Sequence, residues 1–198
     1  MTVRNSTFAR NRTNIYYGGG VSFVGETLRI SDSTFIDNAA TVGGGVFSQG
    51  GSATLLNSQF TNNSNAAVFN LEGAMSVIGC SFDGNSTKYG GGAIFNSDLG
   101  TLTVIACSFA NNTATGDGGG IYAGDGGGIY NEGQLAIKGS TFTSNKASNF
   151  GGGIYNAARG TLSIRDSVLQ NNDALLGDDI YNLGSLEIID SVIGEIFP

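Results

Sequence analysis

Large apolar residues return along this chain about every 25 residues, and between them apolar and polar positions alternate in runs of three to five. Anchored on the bulkiest position, the series reads Phe8, Phe35, Phe60, Phe82, Phe109, Phe142, Leu169 and Ile193, with spacings of 27, 25, 22, 27, 33, 27 and 24 residues. Alternation with a period of two predicts short strands, and no window has the i, i+3, i+4 spacing of an amphipathic helix. Self-similarity at this length predicts a solenoid, because no single coil can bury its own apolar side.

Residues 151–172 are the cleanest copy. Gly151-Gly152-Gly153 leads into Ile154-Tyr155-Asn156, a turn at 157–160 follows, and Leu162-Ser163-Ile164 alternates before Val168-Leu169 and the turn residues Asn171-Asn172. Gly, Asn and Asp stand where tight or left-handed backbone is needed. Three short strands per coil, repeated about eight times, predict an all-β, single-stranded parallel β-helix occupying 1–198 as one domain. Stacked coils place equivalent residues about 4.8 Å apart, which makes a rod roughly 38 Å long.

The columns of that rod can be read directly. Besides the phenylalanine column there are Leu28, Ala53, Met75, Leu102, Leu135, Leu162, Leu186, and two residues later Ile30, Leu55, Val77, Val104, Ile137, Ile164, Ile188. A fourth runs through Val21, Val46, Val68, Ile94, Ile121 or Ile129, Ile154 and Ile180. Three residues after the phenylalanines stand Asn11, Asn38, Asn63, Asn85, Asn112, Asn145 and Asn172, with Ile196 at that place in the last turn. An amide both donates and accepts, so stacked asparagines predict a hydrogen-bonded ladder that also satisfies turn backbone. Cys80 and Cys107 replace the serine found two residues before the phenylalanine elsewhere. They are expected to stack in adjacent coils, where awkward Cβ directions favour free thiols over a disulfide.

Two places break the pattern. Residues 117–124 are nearly copied by 125–132, and eight residues are too few for a coil, so one copy is expected to loop out. The turn between Phe60 and Phe82 lacks the glycine run altogether.

Composition narrows the chemistry. The chain has 33 Gly, one Pro, no His, no Trp and a net charge of −7. An acidic chain without Lys/Arg patches excludes nucleic acid as a partner, and no segment has the ~20 apolar residues of a membrane helix. The absence of histidine excludes Ser-His-Asp and Cys-His nucleophiles and histidine metal sites. Repeat sequence begins at once after Met1 and neither end shows a cap, which suggests a segment of a longer repeat protein.

Phe82-Asp83-Gly84-Asn85 followed by Gly91-Gly92-Ala93-Ile94 resembles the paired Phe-x-x-Asn and Gly-Gly-Ala-Ile motifs of chlamydial polymorphic outer-membrane proteins and related bacterial surface β-helices. Other turns carry the close variant Gly-Gly-Gly-Ile or Gly-Gly-Gly-Val, so the resemblance covers essentially the whole chain. It implies a right-handed parallel β-helix of the broad pectate-lyase-like type, secreted or at the cell surface and adhesin-like. Polygalacturonase-like enzymes of that fold carry a Gly-His-Gly motif, which this sequence lacks.

Three candidate chemistries remain. Asp178-Asp179 could serve as a carboxylate pair for glycoside hydrolysis, but it replaces two glycines of the repeat and reads as a variation of the last turn's surface. Asp173, Asp178 and Asp179 share one turn and could hold a Ca²⁺ ion; no other cofactor is implied. Tyr122 or Tyr130, Tyr155 and Tyr181, with Phe47, Phe69 and Phe95, follow the inward residues and are expected to face outward, where they could stack on sugar rings or on each other.

The reading is therefore a non-catalytic, secreted or surface scaffold for adhesion or assembly, partnered by carbohydrate or a surface protein. The alternative is a polysaccharide-binding or polysaccharide-cleaving β-helix. Unpaired edge strands also allow end-to-end self-association. Any local function is expected where the repeat fails: 117–132, 61–81 and the acidic last turns.

Overall fold

The alternating runs form strands, and equivalent runs of successive coils pair in parallel and in register. A computed structural model describes residues 1–14, 17–115 and 125–198. Three sheets of eight strands each make the walls of the rod. The first runs from Thr2–Arg4 to Ser185–Ile189, the second from Thr7–Ala9 to Val192–Ile193, and the third from Val21–Val24 to Ile196–Phe197. Three coils add a short fourth run, Ser86–Thr87, Thr113–Ala114 and Lys146–Ala147. No helix occurs among the described residues.

The columns hold in the register. Phe60 pairs with Phe82 and Phe82 with Phe109, and Met75 lies beside Leu102. In the duplicated stretch it is Ile129 that pairs with both Ile94 and Ile154, so the downstream copy, 125–132, forms the wall. Ile121 and Tyr122 of the upstream copy lie outside the described residues. The last turn corrects one expectation: Ile196 pairs with Ile180 as a strand of the third sheet and does not stand in the asparagine column.

Inside, the phenylalanines from Phe8 to Phe142 stack face to face; Phe82 and Phe109 are 4.8 Å apart with planes 3° from parallel. Each such contact contributes about 0.5–1.5 kcal/mol beyond area burial. The glycine run is set by how closely coils approach. A Cβ on Gly152 would sit 2.5 Å from the Asp178 carbonyl oxygen, and Gly151 before it has φ +66°. Cys80 and Cys107 are free and buried. The Cys80 backbone N–H donates to Cys107 Sγ at 3.4 Å, as Ser33 N–H does to Ser58 Oγ at 3.2 Å. The hydrogen bond with Cys107, then burial, pushes the Cys80 thiol up, so it is held as a thiol.

The asparagine column forms the expected ladder. In each coil from Asn11 to Asn145, the backbone N–H and Nδ2 both donate to the next Oδ1. A second ladder runs along the third sheet through Asn70, Asn96, Asn131, Asn156 and Asn182, each Nδ2 donating to the next Oδ1 at 2.7–2.9 Å.

Candidate functional site

The outer aromatic row stands outside the barrel but is largely covered. Rings stack from Tyr17 through Phe47, Phe69, Phe95, Tyr130, Tyr155 and Tyr181 to Phe197. Phe47 and Tyr130 are 1% exposed and Tyr155 9%, while Phe69, Phe95 and Tyr181 are half-buried. Three covers come from chain at or just before a glycine run and lie over the next coil. Tyr17 caps Phe47 at 4.6 Å, Phe150 stacks on Tyr181, and the Gly90 backbone lies against Tyr130. The row therefore offers edges and hydroxyls rather than open ring faces.

The acidic last turns are also committed. Asp173 pairs with Lys146 on the surface, and Asp178 accepts from the Ala174 N–H at 2.9 Å. Asp179 is buried, which corrects its reading as part of a surface variation. Its Oδ1 accepts from Asn172 Nδ2 at 2.6 Å, and its Oδ2 from the N–H groups of Gly194 and Glu195 at 2.7 and 3.0 Å. It thus ends the first asparagine ladder. The three aspartates do not converge, and among the described residues no three His, Cys, Asp or Glu side chains gather around one point.

Of the openings among the described residues, two bear on function. The first lies where the coil after Phe60 lacks its glycine run. Residues 65–67 cross directly to Val68, no loop covers Phe95, and a groove of about 410 Å³ opens between Tyr17 and Tyr89 over Phe69 and Phe95. Both tyrosines are more than half exposed, and the lining is predominantly apolar.

The second opening follows from turn length. Between the third sheet and the next strand of the first, the chain takes a long turn at 97–100, a short one at 132–133, a long one at 157–160 and a short one at 183–184. The long turns are closed by Gly100 N–H to Ser97 O and Gly160 N–H to Ala157 O, both 2.8 Å. They stand up as walls around the short turn between them. The resulting notch has a volume of about 580 Å³ and is lined by Asp98 on one wall and Arg159 on the other, with Tyr130 and Glu132 in the coil between, Tyr155 in Arg159's own coil and Leu183 in the coil beyond.

Asp98 and Arg159 are exposed and Glu132 is half-buried. Tyr130 Oη reaches Glu132 Oε1 at 3.5 Å, a long contact. Burial first, and the charge of Asp98 second, push the Glu132 carboxyl above its ordinary range. The ion pairs among the described residues are Arg10–Asp37, Lys146–Asp173 and Arg165–Glu187, so Arg159 is bound to neither carboxylate.

A family model described as the right handed beta helix region matches residues 2–193. The chain belongs to the right-handed β-helix family. No curated protein and no solved structure matches it. For this β-helix, then, the site must be read from its own residues. The sequence placed Tyr130 and Tyr155 in one column, and the notch uses both. It did not point to Asp98 or Glu132. The available signal was the alternation of long and short turns after each Ile-Tyr-Asn or Ile-Phe-Asn run.

Proposed function

We propose that this β-helix is a non-catalytic scaffold, secreted or at the cell surface as in the chlamydial-type repeats it resembles, and that it holds carbohydrate at the notch. One observation carries the reading. The asparagines of the first column are bound to neighbouring coils, whereas Asp98, Glu132 and Arg159 line one opening without pairing to each other. Such groups, with tyrosine hydroxyls beside them, match a ligand rich in hydroxyls. A glycan array with and without Ca²⁺ tests it, using the full chain. Glycan binding lost in Asp98→Ala and Arg159→Ala is the expected result, and binding unchanged in both removes the notch. End-to-end assembly through the edge strands Thr7–Ala9 and Val192–Ile193 belongs to the same proposal, and a strictly monomeric sedimentation profile would remove it.

A second reading is cleavage at the same place. Glycoside hydrolysis uses two carboxyl groups, one of them shifted upward, and Glu132, pushed above its ordinary range by burial and by Asp98, supplies such a pair. Release of reducing ends by the wild-type chain, abolished in Glu132→Gln, would favour this reading over simple binding.

A further inference from the structure

We propose that the notch selects a saccharide bearing a free amine, its ammonium lying between Asp98 and Glu132 and its hydroxyls facing Arg159. The inference rests on the carbohydrate reading above and names the ligand's charge. Two carboxylates and one guanidinium line the opening, a local excess of negative charge. The negative groups belong together: Asp98 opposes ionisation of the half-buried Glu132. A cation placed between them would reverse that opposition.

The protein does not supply this cation. Arg159 stands on the opposite wall, and no ion pair joins it to either carboxylate. The one hydroxyl that reaches Glu132 does so at 3.5 Å, too long to neutralise it. An ammonium has three N–H donors, which the four oxygens of two carboxylates can accept. The volume of about 580 Å³ lies within the ~300–1,000 Å³ of small-ligand sites. The groove near Tyr17 has no comparable charge, so the amine is directed to the notch.

The test is titration calorimetry of the full chain with a glucosamine tetramer, an N-acetylglucosamine tetramer and tetralysine. The glucosamine tetramer is expected to bind at least ~10-fold more tightly than the other two, a difference of about 1.4 kcal/mol. Asp98→Asn and Glu132→Gln are each expected to weaken it about tenfold, and Asp37→Asn, which removes the same charge elsewhere, is expected to leave it unchanged. Equal affinity for the two tetramers would overturn the amine and leave the carbohydrate reading standing. Binding of neither tetramer would overturn both. Tetralysine binding as tightly as the glucosamine tetramer would overturn the saccharide. Unchanged thermal melting of the two near-isosteric variants ensures that a loss reflects the notch and not the fold.

Discussion

The two asparagine ladders use the same residue for different purposes. In the first, each Oδ1 accepts from two donors, the previous asparagine's Nδ2 and its backbone N–H, while Nδ2 also reaches a phenylalanine carbonyl, as Asn38 does to Phe8 at 2.9 Å. In the second, each Oδ1 after that of Asn70 accepts from Nδ2 alone, and Nδ2 gathers carbonyls; Asn96 serves Gly100, Gln134 and Asn131 at once. The first ladder needs two donated hydrogens and a doubly accepting oxygen at one position, as at Asn38; a hydroxyl has one hydrogen to give, so among uncharged side chains this means an amide. The second needs mainly a donor. That difference explains why asparagine holds the first column in seven coils, while the second column begins with Phe23 and Ser48.

Removing one member from each ladder gives the largest contrast. Asn112→Ala would leave Asn85 N–H, Asn85 Nδ2, the Phe82 carbonyl and Asn145 Oδ1 each short of a partner. Buried unsatisfied groups cost ~1–3 kcal/mol each, so a loss of about 3–6 kcal/mol is expected in urea unfolding. Asn131→Ala leaves no backbone N–H orphaned, because its Oδ1 accepts only from Asn96 Nδ2, and a loss of about 2 kcal/mol is expected. Equal losses would break the comparison.

The ladders also end differently. Asp179 closes the first with acceptors on both oxygens, each facing N–H donors. An amide of the same shape cannot do this. In Asp179→Asn, whichever way the side chain turns, its own N–H₂ meets another donor. A destabilisation of about 2 kcal/mol is expected, with faster hydrogen exchange at the Gly194 and Glu195 amides. Unchanged exchange would show that those amides do not depend on the carboxylate.

Asp125 is the contrary case, a buried aspartate whose Oδ1 has no hydrogen-bond partner. Burial pushes its carboxyl up to about 6 from 3.8, against the opposing hydrogen bonds from the Phe150 N–H and the Asn149 side chain. The folded chain therefore holds this proton more tightly than the unfolded one. The associated stability is present in full below about pH 4 and is lost as pH rises through about 6. By this group alone the protein is expected to be on the order of 2–3 kcal/mol less stable at pH 7.5 than at pH 4. Asp125→Asn should remove that dependence, while a pH profile identical in the variant would assign it elsewhere.

Much of this was legible because a solenoid turns sequence period into spatial neighbourhood. Phe60, Phe82 and Phe109 are neighbours since each holds the same place in its coil, and the first ladder followed from Asn63, Asn85 and Asn112 in the same way. The second ladder was open to the same logic. In Ile154-Tyr155-Asn156 the alternation turns Ile and Asn inward, so the buried Asn156 was implied by its place. The cover over the aromatic row was not legible, because Tyr17 and Phe47, whose rings stack, hold different places in their coils. The notch escaped for a related reason. It depends on the lengths of turns at 97–100, 132–133 and 157–160, and no column of equivalent residues records a length.

The start of the second ladder offers the mildest and most specific test. Ser48 is the register neighbour of Asn70, and both Ser48 Oγ and Asn70 Oδ1 are buried without a hydrogen-bond partner among the described residues. The short hydroxyl does not span to the amide, so the ladder begins with an acceptor left open. Ser48→Asn places an Nδ2 where every later coil has one, and a gain of about 1 kcal/mol is expected from the added hydrogen bond. The same substitution at Ser33, which already accepts from Ser6 N–H and donates to the Ser31 carbonyl, should destabilise. If Ser48→Asn also destabilises, then what sets the second ladder's start is space beside Phe23 rather than hydrogen bonding. The two ladders would then differ in packing and not in the donors and acceptors they serve.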